Sequence, residues 1–322
     1  MINLGFWKKL KNKKPFFCLA PMADVTDCAF REIITKYGKP DVLWTEFVSA
    51  DGLSSVGKNK LLIILKHSKK ERPIVAQIFG SNPENIKKAS ALCAKLGFDG
   101  IDINMGCPDK AIEKQNSGAA MMKNPKLARE IIRAAKAGAP KLPISVKTRI
   151  GYNKNEMNVW LRKILSEDIA VLTVHLRTRK EMSKAKAHWD LMKEIVAIRD
   201  EMKKETLIIG NGDVISMEDG IEKAKESNCD GIMIGRGIFG NPWLFSKSKK
   251  ELTIQKKLKV MVEHAKLFEK KLGKYKNFYV MKKHFKAYVN GFEGAKELRV
   301  KLMETNNSKE VKEIVDNFLA SF

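Results

Sequence analysis

The chain has 322 residues, 44% of them hydrophobic, and carries 61 Lys and Arg against 37 Asp and Glu, a formal net charge of +24. That length and apolar content suit one large domain plus a small one and exclude a disordered chain. Five cysteines, at 18, 28, 93, 107 and 229, exclude a fully paired disulfide framework by parity, and no two have the Cys-x-x-Cys spacing of zinc or redox sites.

A reducing cytoplasm fits this cysteine usage. No run of 18 apolar residues occurs, and the N-terminal MINLGFWKKLKNKK has no apolar stretch after its charges, so neither a membrane span nor secretion is expected. The charge has two readings. A polyanion such as RNA or DNA is drawn to such a surface, because neutralising phosphates releases counterions. Alternatively, lysine simply covers every solvated face.

From Phe16 onward, apolar runs alternate with amphipathic stretches. The strand candidates are 16–20, 42–46, 74–79, 100–104, 144–148, 171–175, 207–211 and 231–235. Most are continuously apolar, as strands covered on both faces are. Helical spacing fills 84–96, 125–137, 156–166, 189–202 and 217–227, and Asn82-Pro83 and Asn124-Pro125 are start signals, each a capping side chain followed by proline in the first turn. Eight such units over about 235 residues predict a (β/α)8 barrel. A doubly wound sheet is the second choice, since it more often has six or seven strands.

A barrel collects function in the loops after its strands. Polar residues do gather there: APMADVTD after the first run, Gln77 in the third, Asn104 ending the fourth, Lys147-Thr148-Arg149 ending the fifth, and His175 with Arg177 and Arg179 at the sixth. Asn211-Gly212-Asp213 and Gly235-Arg236-Gly237 follow the last two. Polar groups at the ends of apolar strands cost desolvation unless they meet a ligand or one another. Alone, His175 reads as a satisfied core histidine and Lys147 as an end-of-strand ion pair. As a set they outline one mouth.

Two further features sharpen that mouth. Asn104-Met105-Gly106-Cys107-Pro108 breaks away from a buried strand; Gly106 can take a positive φ and Pro108 fixes φ, so the Cys107 thiol is expected on a stiff turn. The bland alternative is a small buried apolar residue. The glycine-containing loops NGDV and IGRGIFGNPW suit the phosphate cradle that barrels form after strands seven and eight, with Arg236 adding a forked contact; the alternative is a pair of tight turns. Lys147 can stabilise negative charge on an electron-accepting ring, and Gln77 can offer both donor and acceptor to ring edges.

After NPWLF only helical patterns remain, at 253–272, 277–290, 295–304 and 308–320. Residues 247–322 carry 19 Lys and Arg against 9 Asp and Glu, a net of +10. The expected division is therefore a catalytic barrel over 1–246 and a helical domain over 247–322. Its lysines, with Tyr279, His284, Phe285 and Tyr288 interleaved, can grip RNA, or the aromatics are core and the lysines solvated. The basic run from Lys8 to Lys14 is equally open.

LAPMADVTDCAFR, QIFG, DINMGCP, SGAAMM, VKTRIGY, VHLRTR, NGDV and IGRGIFGNPWLF, in this order, resemble the tRNA-dihydrouridine synthases. The tail MKKHFKAYVNGFEGAKELRVKLMET is similar to the helical domain of the bacterial B-type members. The likeness extends over nearly the whole chain from about residue 15. It implies an FMN-bound barrel that uses NADPH, or NADH, to reduce the C5=C6 bond of particular uridines in tRNA, with hydride passing from flavin N5 to C6 and a proton from Cys107 to C5.

By matching motif, Pro21, Met22 and Ala23 line the flavin, Gln77, Lys147 and His175 contact it, and Asn211, Gly212, Asp213, Gly235 and Arg236 serve its ribityl-phosphate end. Asn104, Arg149 and Arg177 face the substrate. The expected partner is tRNA, with no membrane and no obligate protein partner. An acid thiol must stay protonated, so the mouth should not depress the Cys107 pKa strongly.

The chain departs from the family pattern in places. Glu181, Ser183 and Ala185 stand where Gln, an aromatic Tyr and Gly are usual, Leu176 stands where Gly is common, and Asp24 replaces a frequent Gly. Two other functions compete: an FMN barrel reducing a free pyrimidine or an enone, which the basic tail disfavours, and a non-catalytic tRNA-binding protein, which intact Cys107, Lys147 and His175 disfavour.

Overall fold

The computed structural model describes residues 2–246 and 252–321. Nine strands form one sheet: β1 (Phe16–Leu19), β2 (Leu43–Trp44), β3 (Val48–Ser49), β4 (Ile74–Phe79), β5 (Gly100–Asn104), β6 (Ile144–Arg149), β7 (Val171–His175), β8 (Leu207–Asn211) and β9 (Gly231–Ile234). All pairs are parallel, in the order β1-β9-β8-β7-β6-β5-β4-β2, with β3 also on β4. A bridge between Cys18 and Val42, with Leu19 N–H donating to Val42 O at 3.2 Å, closes the circle. The expected (β/α)8 barrel is thus the fold.

The expected strand 42–46 shortens to β2, and β3 follows beyond its expected end. Thr45 leaves the regular pattern and its hydroxyl accepts the Gln77 N–H at 3.1 Å, which satisfies a buried donor where the ladder breaks.

The outer layer follows from local sequence. Asn82 accepts the N–H groups of Glu84 and Asn85 at 2.9 and 3.2 Å to start helix Pro83–Lys95, and Asn124 accepts Leu127 N–H at 3.1 Å to start Pro125–Gly138. These helices, with Met157–Leu165, Met192–Glu201 and Met217–Ser227, cover the apolar outer face of the strands. The inward face is filled by Phe16, Cys18, Trp44, Val75, Val171, Ile209 and Met233, with Trp7 packed among them.

Trp7 lies in a short helix, Trp7–Leu10, that the lysine-rich sequence concealed. Its ring sits 5.8 Å from both Phe16 and Trp44 and stops the bottom of the barrel. Three lysines of the basic run beside it answer acidic groups at the strand starts: Lys11 pairs with Glu205 at 3.3 Å, Lys13 with Asp41 and Lys14 with Asp230.

Helices Ile254–Leu272, Lys282–Tyr288, Ala295–Met303 and Ser308–Ala320 form a second core, which also takes in Cys28, Ala29 and Ile33 of the barrel helix Cys28–Tyr37. The opposite face of that helix, with Phe30 and Ile34, belongs to the barrel core. One helix therefore serves both cores. The boundary expected at 246/247 borders residues 247–251, which lie outside the described residues. His284, Phe285 and Tyr288 are buried in the second core, and of the four interleaved aromatic positions Tyr279 alone is exposed.

Candidate active site

Register brings the polar strand ends to one level: Asn104 stands opposite Lys147, Arg149 opposite His175, and His175 opposite Asn211. Above them opens a cavity of about 640 Å³. Pro21, Met22, Lys147, Arg149, His175, Arg177, Asn211, Gly212, Asp213, Gly235 and Arg236 line it, together with Ala20, Val214, Ile215 and Gly237. The last four extend motifs already singled out, and Gly237 has a steric reason for being glycine. A Cβ there would meet Val214 O at 2.6 Å, so the loops after β8 and β9 are pressed together. A Cβ on Gly235 would find no protein atom nearer than 3.7 Å, which leaves that edge of the cavity open to a ligand.

Four expected residues do not line this cavity. Ala23 is turned to solvent. Gln77 is fully buried below it, with Nε2 donating to Asp102 at 2.6 Å and Oε1 accepting from Asn104 Nδ2 at 3.0 Å. Both ends of the amide that could address a ring are thereby engaged. Asn104 in turn accepts the N–H groups of Gly106 and Cys107 at 3.1 and 2.9 Å, so it caps the loop that bears the thiol.

Cys107 lies on that loop, beside the cavity. It is half-buried, whereas the other four cysteines are buried. The reason for Gly106 differs from the expected one. It does not take a positive φ; a Cβ would instead meet the Thr148 backbone at 3.2 Å. The positive φ falls on Gly118, at +61°, where a Cβ would lie 2.7 Å from Cys107 O. Arg149 closes the arrangement: Nε donates to Gly106 O at 2.8 Å, and Nη1 donates to Thr178 O and Met182 O at 3.0 Å each. It ties the loop after β5 to the loop after β7.

The cavity is cationic. Lys147, Arg149, Arg177 and Arg236 face a single carboxylate, Asp213, which pairs with Arg177 and, at 2.9 Å, with Arg236. Burial alone would raise the Asp213 pKa, but Arg177, the Ala187 N–H and Arg236 hold it below the ordinary carboxylate range. Burial, then Arg149, brings Lys147 down to about 8, while Asp102 opposes the shift.

Burial and the surrounding cations push His175 well below the usual imidazole range, so its ring is neutral. Arg177 Nη1 lies 3.3 Å from His175 Nε2. Since arginine can only donate, Nε2 accepts and the proton sits on Nδ1. Nδ1 is buried and has no partner. A neutral donor without an acceptor costs free energy unless a ligand supplies one. Burial also raises the Cys107 pKa above its ordinary value, which keeps the thiol protonated.

Four of the five departures fall after β7. Glu181 accepts from Thr178 N–H and Oγ1 at 2.7 and 2.9 Å and stands 2.8 Å from His188 Nε2. It locks the loop internally. Ala185 O accepts Arg177 Nε at 2.7 Å, Leu176 is core, and Ser183 is exposed. Asp24 has φ +55°, the backbone region that favours glycine, and the carboxylate is held by Lys276 at 3.1 Å.

A parallel barrel with a cationic mouth, a neutral histidine donor and a protonated thiol on an adjoining loop is built to receive an anionic ligand and to offer protons beside it. The sequence matches the family profile described as dihydrouridine synthase over residues 18–322. It is 43% identical over 319 residues to a probable tRNA-dihydrouridine synthase of Staphylococcus aureus strain MRSA252, and 44% identical over 317 residues to probable tRNA-dihydrouridine synthase 2 of Bacillus subtilis strain 168. Each alignment covers 98% of this chain and 96% of the relative.

The chain belongs to the dihydrouridine synthase family. Among solved structures it is similar in fold to the old yellow enzyme homologue of Zymomonas mobilis, with a TM-score of 0.50 at 14% identity over 70% of this chain and 86% of that one. A second likeness is to 6-hydroxypseudooxynicotine amine oxidase of Pseudomonas geniculata, with a TM-score of 0.54 at 13% identity over 72% of this chain and 46% of that one. Among the described residues no helix is long and apolar enough to cross a membrane, and no cluster of side chains could hold a metal ion.

Proposed function

We propose that this chain reduces the C5=C6 bond of uridines in tRNA, using flavin mononucleotide as bound cofactor and NADPH or NADH as reductant, in the cytoplasm. The observation that carries the cofactor is the cavity itself. It is open beside Gly235, cationic on one wall, and contains the buried, unpartnered His175 Nδ1. Arg236 and the glycine loops after β8 and β9 would take the phosphate, and Lys147 and His175 the ring. When bound, the flavin supplies the hydride that goes to uracil C6.

The chain supplies the rest. Lys147, protonated at neutral pH, offers positive charge where the anionic electron density collects. Cys107 holds a proton at Sγ and delivers it to C5, a role that fits a thiol whose pKa is raised. Asn104 and Arg149 hold the loop from which it acts. The uridine must leave its stack to reach such a site, which agrees with the chain's charge of +24 drawing an RNA substrate.

The purified protein should be yellow, with its absorbance bleached by NADPH and restored by tRNA that lacks dihydrouridine. Cys107→Ala should still bind and reduce the flavin, while tRNA modification falls about 100-fold. A colourless protein defeats the proposal. Restoration by free uracil but not tRNA would transfer the activity to a small pyrimidine, and unchanged turnover in Cys107→Ala would take the acid role from that thiol.

A further inference from the structure

Asp102 is a charged residue that the reaction above does not use. It sits on β5 directly below Asn104, fully buried. Its register partners are Gln77 on one side and Ser145 on the other. Oδ2 accepts from Gln77 Nε2 and Oδ1 from Ser145 Oγ, each at 2.6 Å. Gln77 Oε1 then accepts from Asn104 Nδ2 at 3.0 Å, and Asn104 Oδ1 accepts the backbone N–H groups of Gly106 and Cys107. The three side chains form one line of hydrogen bonds from the barrel interior to the cysteine loop.

We propose that Asp102 is a positioning residue: as an acceptor-only group at the foot of this line, it fixes the direction of every hydrogen bond above it and so sets where the Cys107 thiol sits. Amides can be turned end for end; an ionised carboxylate cannot become a donor. Facing Asp102, Gln77 must present its NH2 downward and its oxygen upward. Asn104 must then turn its own NH2 to Gln77, which leaves Oδ1 for the two loop N–H groups. Were the foot of the line a donor, Gln77 and Asn104 would both reverse. Two N–H groups of the loop would then face an NH2, and the loop would have to move to regain acceptors. Burial, the largest influence, raises the Asp102 pKa to about 6, while Gln77, Ser145 and Lys147 work against it, so the group is ionised at neutral pH.

This assignment rests on the proposed acid role of Cys107 for its meaning, and its labelling test does not. Asp102→Asn keeps the size of the side chain and lets the foot of the line donate. Cys107 is the half-buried thiol among four buried ones, so iodoacetamide labelling followed by peptide mass spectrometry reads its exposure. Labelling should speed up about tenfold, the worth of one lost loop hydrogen bond. The kcat for tRNA-dependent flavin reoxidation should fall by a similar factor with KM for tRNA unchanged.

The double variant Asp102→Asn with Gln77→Glu moves the acceptor-only group one link up, where it still receives Asn104 Nδ2. Labelling should return to near the wild-type rate. Gln77→Leu cuts the line and should label as fast as Asp102→Asn, which keeps the test available if the latter does not fold. Wild-type labelling in these single variants, or no reversal in the double variant, overturns the assignment. Faster labelling in Asp102→Asn combined with full turnover in Cys107→Ala would leave the positioning intact and remove the acid role.

Discussion

Lys147 occupies a place that works against its own charge. Burial is the main reason its pKa falls to about 8, with Arg149 adding to the fall. A pKa depressed from the ordinary 10.5 means that the ligand-free fold is more stable with the neutral amine. That contribution is complete above about pH 10.5 and is lost as pH falls through about 8. An anionic ligand reverses the preference, because it gains from the ammonium. Flavin affinity should therefore weaken as pH rises through 8, read by fluorescence titration. Lys147→Met should bind flavin more weakly at pH 7, lose that inflection, and melt higher than the wild type in the flavin-free state. An unchanged inflection in the variant would place the titrating group elsewhere. His175 contributes no charge across this range, since its pKa lies well below the usual imidazole value.

At the scale of elements, the loop after β5 is held from three sides: by the Asn104 cap, by the Arg149 bridge to the loop after β7, and by Gly118 behind Cys107. Gly118→Ala attacks the third. It places a Cβ 2.7 Å from Cys107 O on backbone with φ +61°, a region that costs a residue with a side chain about 1 kcal/mol or more. The barrel should remain folded, with denaturant stability lower by about 1–2 kcal/mol. Flavin should stay bound and tRNA turnover should fall. Turnover equal to the wild type would mean that the loop tolerates the displacement.

This scale also marks how far the sequence could be read. The continuously apolar strands and the Asn-Pro helix starts declare their own structure, because each depends on neighbours in the chain. The early end of the second strand does not, since there Thr45 reaches across to Gln77. The Cys107 loop was legible as a turn, but its glycines exchange reasons: Gly106 answers to the backbone of β6, and Gly118 supplies the positive φ. Gln77 and Asn104 were legible as polar groups at strand ends. That they bond to each other and to Asp102 is a matter of register between strands, and no spacing along the chain reveals it.

Across the whole molecule the positive charge has two addresses. The run from Lys8 to Lys14 lies at the stoppered bottom of the barrel, where Lys11, Lys13 and Lys14 answer acidic groups near the strand starts. The helical region docks on helix Cys28–Tyr37 and reaches the loop after β1, where Lys276 meets Asp24 and buried Glu46 at 3.1 and 3.0 Å. It therefore stands beside the mouth. Its exposed Tyr275 and Tyr279, with exposed Lys283 and Lys286, mix stacking faces with charge, the combination that holds unpaired RNA.

The net +10 of residues 247–322 should thus govern tRNA binding, and the basic N-terminal run should not. Each lysine that contacts a phosphate adds about 0.7–0.9 to the slope of log affinity against log salt. Lys283→Ala with Lys286→Ala should lower the tRNA slope by about 1.5 and leave flavin content unchanged. Lys8→Ala with Lys9→Ala, equally exposed and at the far end, should leave the slope as it is. The control fixes the interpretation, because both pairs remove the same net charge: equal losses would mean that tRNA responds to the total field of the chain, and a loss confined to the helical pair means that it sits on the side of the molecule where the mouth opens.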